Sequence, residues 1–423
     1  MKFSHRYPLR KWRVLGTHLF LATLGVIAVV ITMHPWAGQA DDGDTSRLDR
    51  TLVNVLRAGR FTGEVEATLE ARLGRRIDPR LADLGRLLFF DTAVGLYGDN
   101  ACAGCHSPAR GFGDTQSIAI GVQNNGIVGP NRVGARNQRR SPLVINTAFY
   151  PKLMWNGRFF APSGDPFDNS QGFTFPQPEG TTQFPPNDPT VEYLLVAQAH
   201  IPSTELVEMA GFTGTAGTIG PRFDQFDDGD GTPVPPPAAS GFRNEPIRQA
   251  VLERFNAMPE YRKLFGKLFP EVRAGAPIDF SMFGRAVAEF EFTLVRANAP
   301  IDRYARGERN AMTESQKRGA LVFFGKGNCV ACHAVAGKSN EMFSNFEMHN
   351  IGVPQIAPAF GVGLGNVIFD GPVRTRTLDW SRSLAIRLIA TNSADHRCAT
   401  WRCNRRSSTT AHLRGWKMRS ATT

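Results

Sequence analysis

The chain has 423 residues, enough for two or three domains with ample core. Glycine (42) and proline (28) are plentiful, which favours long loops between helices over a compact repeat array. The formal net charge is +11, but residues 1–40 hold +5 and residues 374–423 hold +9, leaving −3 between them, so the basic balance gives no nucleic-acid surface.

Residues 1–40 read as an export segment. A basic start (Lys2, Arg6, Arg10, Lys11, Arg13) precedes an apolar run from Leu15 to Met33, then Gly38-Gln39-Ala40 before Asp41. Cleavage after Ala40 leaves a periplasmic protein. The run is also about long enough to span a bilayer, so an uncleaved N-terminal anchor stays open. His5, His18 and His34 fall in this segment and are set aside as ligands. One short helix, Leu52 to Leu56, is expected before a Gly/Arg-rich link. Asp83 to Phe90 has helical apolar spacing (Leu84, Leu87, Leu88) and leads into Cys102-Ala103-Gly104-Cys105-His106.

This CxxCH spacing lets two thiols form thioethers to one porphyrin while the adjacent histidine turns its imidazole onto the iron. One copy alone favours haem, with a chance match or half of a zinc site as the alternatives. A second copy, Cys329-Val330-Ala331-Cys332-His333, repeats the approach as well: Gly85-Arg86-Leu87-Leu88-Phe89-Phe90 corresponds to Gly319-Ala320-Leu321-Val322-Phe323-Phe324. The repeat points to two covalently attached c-type haems, held by Cys102, Cys105, Cys329 and Cys332, with His106 and His333 as iron ligands.

Residues 107–140 are punctuated by glycine and contain no histidine. Ser141 to Ala148 leads into Met154-Trp155-Asn156-Gly157-Arg158, and the Phe-, Pro- and Gly-rich stretch 159–190 is expected as an ordered surface loop. Val191 to Ala199 is a predicted helix entering a segment with His200, Glu205 and Glu208. From Phe212 to Ser240 the pattern is weak. Asp227-Asp228-Gly229-Asp230-Gly231 resembles part of a calcium loop but lacks the closing Glu, so a solvated linker is expected. Two amphipathic helices follow, Pro246 to Leu268 and Ser281 to Val295. They lead to Asp302-Arg303-Tyr304 and the second CxxCH.

In this order the stretches LGRLLFFD, SPLVINTAF, WNGR, the box Q-A-x-x-P-x-x-x-x-x-E-M, FTLVRANAPIDRY and GALVFFGKGNCVACH resemble the bacterial di-haem cytochrome c peroxidase family, whose relatives include enzymes that mature tryptophylquinone cofactors. The likeness runs from about residue 80 to 372. It implies an all-α fold of two cytochrome c-like domains joined by long loops: residues 41–240 for the peroxidatic haem and 241–372 for the electron-transferring haem. By this resemblance His106 is the proximal ligand of the first iron and His333 of the second. Gln198 and Glu208 sit over the open face of the first iron, and Trp155 relays electrons between the haems. A desolvated Glu suits the proton transfer that peroxide cleavage needs. Glu205 is the rival to Glu208, Trp155 could instead be a core aromatic, and His200 beside a proline reads as structural.

Two departures carry consequences. Some family members plug the first iron with a loop histidine; with none in residues 107–140, this iron is expected to bind peroxide without prior reduction. The family's inter-domain calcium uses an Asn just before the SP step, where this chain has Arg140, so that calcium ligand is not carried over. Family members are often homodimers.

Residues 373–423 read as out of frame. Shifting the codons of Thr400-Trp401-Arg402-Cys403-Asn404-Arg405 by two bases permits V-A-L-Q-P, and Gly415 to Met418 and Arg374 to Trp380 likewise permit family-like stretches in the same frame. Cys398 and Cys403 are then accidental. The family draws the sixth ligand of the second haem, a Met or Tyr, from this end, which leaves Met342, Met348 and His349 as substitutes. The leading function is reduction of hydrogen peroxide to water with electrons from a small periplasmic cytochrome c or cupredoxin. Alternatives are a di-haem electron carrier, a maturation enzyme oxidising a protein substrate, and an inactive truncated product.

Overall fold

The computed structural model describes residues 42–349, apart from residues 123, 135, 136, 138, 156, 176–182, 211–234, 237 and 240–243. The chain divides into units 1–45 and 46–423, and apart from the start of the first helix every described residue belongs to the second. The export segment, the Asp227–Gly231 run and the tail with Cys398 and Cys403 lie outside the described residues. Among the described residues no helix is long and apolar enough to cross a membrane.

Two helices form the spine. Helix α3 (Pro79–Phe90) starts where the Asp78 carboxylate accepts from the backbone of Arg80 and Leu81, with Pro79 at the first turn. Helix α9 (Phe280–Phe292) is capped in the same way by Asp279, which accepts from Met282 N. The two axes approach so closely that a Cβ at Gly85 would lie 1.8 Å from the Ala286 carbonyl oxygen. Only glycine fits there. On another side of α9, α5 (Leu194–Ala199) brings His200 against Gly284, where a Cβ would lie 2.9 Å from the imidazole.

Helices on both sides of residue 240 share this core: Leu84 and Leu88 of α3 cluster with Phe255, Phe265, Phe283 and Val287. The segment expected as one helix from Pro246 to Leu268 is two, α6 (Asn244–Ala257) and α7 (Pro259–Gly266). Pro259 has no N–H to continue α6, and Met258 before it is extended (φ −91°, ψ 112°), the conformation proline imposes on its predecessor. Helix α8 (Pro270–Arg273) closes this side.

The stretch expected as a surface loop is not all loop, and its phenylalanines turn inward, while residues 185–187, 189 and 190 are exposed. Strands β1 (Lys152–Leu153), β2 (Phe159–Phe160), β3 (Phe173–Thr174) and β4 (Gln183–Phe184) form an antiparallel sheet in chain order, with Leu153 opposite Phe159 and Phe173 opposite Phe184. Phe159, Phe173 and Phe175 are fully buried with Leu194 and Phe292. Strands of two residues show no period-two pattern, so only their phenylalanines marked them. Apart from this sheet and a bridge between Ser107 and Gly113, the regular elements among the described residues are helical, as expected.

The N-terminal helix is longer than its apolar centre suggested. Helix α1 runs from Asp42 to Ala58, with Leu48, Leu52 and Leu56 buried four residues apart. It packs with Tyr304 of α10 (Pro300–Ala305) and Ala320 of α11 (Glu314–Phe324), the lead-in helix of the second CxxCH. Asp49 anchors it, accepting from Lys317 Nζ at 2.7 Å and from the Tyr304 hydroxyl at 2.6 Å.

Candidate haem sites

The first CxxCH is one helical turn, α4 (Cys102–Cys105), with His106 N donating to Cys102 O at 2.8 Å. Gly104 leaves room for the buried Asn100–Arg132 hydrogen bond: a Cβ would meet Asn100 Oδ1 at 2.5 Å and an Arg132 guanidinium nitrogen at 2.8 Å and push that pair aside. The His106 ring lies with Nδ1 3.0 Å from the Pro142 carbonyl oxygen. That contact makes Nδ1 the donor and leaves the Nε2 lone pair for a metal. Burial holds the imidazole below its ordinary pKa, hence neutral. Phe89 lies 6.3 Å from the ring, centroid to centroid, and Phe112 and Phe290 pack on Phe89. Burial pushes the Cys102 thiol far up, with the nearby Glu291 carboxylate adding to it, and the Cys105 thiol up to about 12.

Cys102, Cys105 and His106 open onto a cavity of about 720 Å³. Gln198, Glu208 and Trp155 line the same cavity, together with Glu205, Arg158 and Glu291. Every residue expected at the first iron is therefore on one cavity wall or another.

Glu208 sits in a single π-helical turn, Leu206–Ala210, a distortion that recurs at functional sites. The N–H groups of Glu208, Met209 and Ala210 all point at Glu205 O, at 3.1, 3.0 and 3.1 Å. The loop after the CxxCH fixes this turn from the other side. Asn137 Nδ2 donates to Glu208 Oε1 at 3.1 Å, and Asn100 Nδ2 to Glu208 O at 2.8 Å. Glu205 differs. Its Oε1 takes Arg158 Nη2 at 3.1 Å, and both side chains are only 5% exposed. Its charge is thus neutralised inside the wall, whereas Glu208 meets the neutral amide of Asn137.

Trp155 is no core aromatic: it is 60% exposed, with the Arg139 guanidinium over its ring at 5.7 Å. His200 is buried but does not line the cavity. Its Nδ1 lies 2.8 Å from Val196 O, Phe184 and Phe280 flank it, and burial lowers its pKa to about 4. Three features were missed in the sequence: the Arg158–Glu205 pair, Glu291, and Phe346. Phe346 belongs to the loop after the second CxxCH, yet lines the first cavity and packs on Tyr150 at 5.1 Å. Glu291 alone left a trace, as a carboxylate continuing the apolar stripe Phe283, Val287.

The second CxxCH holds its histidine in the same manner. His333 Nδ1 lies 2.9 Å from the Phe343 carbonyl oxygen, and Phe323, the counterpart of Phe89, is 6.0 Å away. Cys329, Cys332 and His333 are all exposed. Of the substitute ligands, Met342 packs against the sheet core, Met348 lies against Gly157, and His349 is exposed. Arg140 donates to Asp114 O at 2.8 Å, and no cluster of three metal-binding side chains exists among the described residues.

The residues fit a c-type haem at the first site. Two inward thiols, an imidazole with only Nε2 free and a largely apolar cavity, within the roughly 300–1,000 Å³ typical of cofactor pockets, are the donor set such a group needs. The sequence model of the family described as di-haem cytochrome c peroxidase matches residues 79–310. The methylamine utilization protein MauG of Methylophilus methylotrophus is 28% identical over 289 residues, 68% of this chain and 60% of that protein. The cytochrome-c peroxidase IdrP2 of Denitromonas iodatirespirans is 26% identical over 292 residues, 69% of this chain and 55% of that protein. The chain thus spans about three-fifths of the length of these relatives or less. A crystal structure of a MauG-like protein associated with microbial copper homeostasis aligns with a TM-score of 0.41 at 20% identity, over 72% of this chain and 70% of that one. With more than half its length matched by the family model, the chain belongs to the di-haem cytochrome c peroxidase family.

Proposed function

We propose that the protein is an exported oxidoreductase that reduces hydrogen peroxide to water at the first haem site, drawing electrons from a small redox protein through the second. The observation that carries this reading is one cavity shared by His106, Cys102, Cys105, Gln198 and Glu208. A plain electron carrier needs room for the haem but not an amide and a carboxylate beside it. A haem bound through Cys102, Cys105 and His106 would supply the iron that takes up peroxide and passes electrons to it.

The chain's own residues do the rest. The Pro142 carbonyl fixes the tautomer and plane of His106. Glu208 takes a proton from the nearer peroxide oxygen and returns it to the leaving one, work worth about 10²–10⁴-fold for a positioned group. Asn137 aims that carboxylate, and Gln198 adds an amide to hold the peroxide. The balance is H₂O₂ + 2 H⁺ + 2 e⁻ → 2 H₂O. In this proposal residues 41–240 carry the first haem and 241–372 the second, with residues 1–40 as the export signal or anchor.

The test is the ferric spectrum of the haem-loaded protein before and after stoichiometric peroxide. A high-spin signal that peroxide converts at once, and whose conversion slows about 10²–10⁴-fold in Glu208→Gln, supports the reading. A wholly low-spin spectrum indifferent to peroxide sinks it in favour of a carrier. One observation favours a second reading, oxidation of a protein partner: Trp155 reaches from the cavity wall to solvent at 60% exposure. Peroxide turnover that requires a protein partner and fails in Trp155→Phe would single that reading out.

A further inference from the structure

On α9, Phe283, Val287 and Glu291 are spaced four residues apart, and all three line the first cavity. Two are apolar and the third is a carboxylate, 6% exposed. Neighbouring acids have partners. Glu289 is held by Arg75 at 2.6 Å, Glu205 by Arg158 at 3.1 Å, and Glu208 by Asn137 at 3.1 Å. Glu291 has no hydrogen-bond or ion-pair partner among the described residues. An ionised carboxylate in that position would be buried without compensation, so the neutral acid is the favoured form.

We infer that Glu291 is a second proton-holding residue of this cavity, delivering to its interior one of the two protons that peroxide reduction consumes. The inference rests on the peroxidase reading above. Glu208 moves a proton from one oxygen to the other and so contributes no net proton. Two must still enter for each peroxide reduced. A neutral acid beside Phe283 and Val287 holds one of them: Glu291 releases H⁺ to the reduced oxygen and recovers it from water, while both electrons come from the donor protein.

The surroundings agree. Glu291 faces Cys102 closely enough that its charge would raise that thiol's pKa. The other titratable and charged groups on the cavity are Glu208 on the π turn, the Glu205–Arg158 pair, Cys105 and His106 on the CxxCH, and Arg139, Arg140, Tyr150 and Lys152 from the segments flanking Pro142 and Trp155. From α3 and α5 the wall receives only Phe89, Leu195, Gln198 and Ala199. Burial alone raises the Glu291 pKa to about 8, so the acid is protonated at neutral pH and empties just above it.

Infrared spectra of the full haem-loaded chain between pH 6 and 10 read the proton directly. Peroxide turnover over the same range reads its use. The wild type should show the carbonyl stretch of a neutral carboxylic acid that disappears near pH 8, and Glu291→Gln should lack it. In that variant kcat should fall by about 10-fold or more, the alkaline limb of the pH profile should vanish, and KM for peroxide should hold. Glu291→Asp should restore part of the rate. A band unchanged in Glu291→Gln, or an unchanged rate profile in a variant that still turns over peroxide, overturns this inference alone. A wild type that shows the band but never consumes peroxide overturns the peroxidase reading and the delivery step with it. Should Glu291→Gln fail to load haem, the wild-type titration decides: no acid band titrating near pH 8 overturns the proposal.

Discussion

The two CxxCH segments share a device and differ in everything around it. In each, a Phe of the lead-in helix braces the histidine, at 6.3 Å and 6.0 Å, and a backbone carbonyl takes Nδ1, at 3.0 Å and 2.9 Å. The first sits on a cavity walled by α9, α5, the sheet and the π turn. The second has both cysteines and its histidine exposed. What the repeat encodes is the CxxCH turn and the orientation of its histidine. In the proposed function, what separates the reaction site from the electron port is unrepeated chain: Trp155, Arg158, Gln198, Glu205, Glu208 and Glu291 have no counterparts in the repeat.

The largest effect that could break this comparison lies in the paired phenylalanines. Phe89 is 1% exposed in the main core, so Phe89→Ala should cost about 3–5 kcal/mol of stability and loosen His106. Phe323 is half-buried, and Phe323→Ala should cost about 1–2 kcal/mol. Denaturant melts of the haem-loaded variants measure both. Equal losses would mean that the second segment is packed as firmly as the first.

A sharper version uses the paired glycines. Gly85→Ala drives a methyl group into the Ala286 carbonyl and should cost about 3 kcal/mol by forcing α3 off α9. Gly319 has nothing within 4 Å of the same methyl, so Gly319→Ala should stabilise α11 by about 0.5–1 kcal/mol through helix propensity alone. Opposite signs from the same substitution at equivalent positions would establish that the two copies meet different neighbours. Two losses of similar size would refute it.

Sequence reading reached the parts of the fold with periodic or chemical signatures. The two CxxCH segments, α3, α9 and the Gln198–Glu208 box follow from thiol spacing, apolar period and resemblance. It failed where structure is made by distant partners. The sheet has strands too short for any period, and the α6–α7 break needed more weight on Pro259 than the apolar pattern allowed. That Glu205 is spent on Arg158 is a contact across 47 residues, invisible until both side chains are placed. The embedding of α1 beside α11, through Asp49 and Lys317, is likewise a long-range fact.

The smallest effect separates the halves by pH. His200 lies between α5 and α9 in the first half, buried and neutral, with a folded pKa of about 4 against an ordinary 6.5. The unfolded chain therefore takes up this proton first as pH falls, so stability declines with acid between 6.5 and 4 and recovers above 6.5. The slope is at most about 1.4 kcal/mol per pH unit, and the loss reaches about 3 kcal/mol below pH 4. An amide at this position can still donate to Val196 O, so His200→Asn should remove the titration while keeping the contact. Between pH 7 and pH 5 the wild type should lose about 2 kcal/mol more than the variant, since carboxylates common to both cancel in the difference. The loss should be visible first in the absorbance of the haem at His106, because no counterpart of His200 packs beside His333 among the described residues. Parallel pH dependences of wild type and variant, or simultaneous change at both haems, would show that the α5–α9 contact does not set the acid limit of the first site.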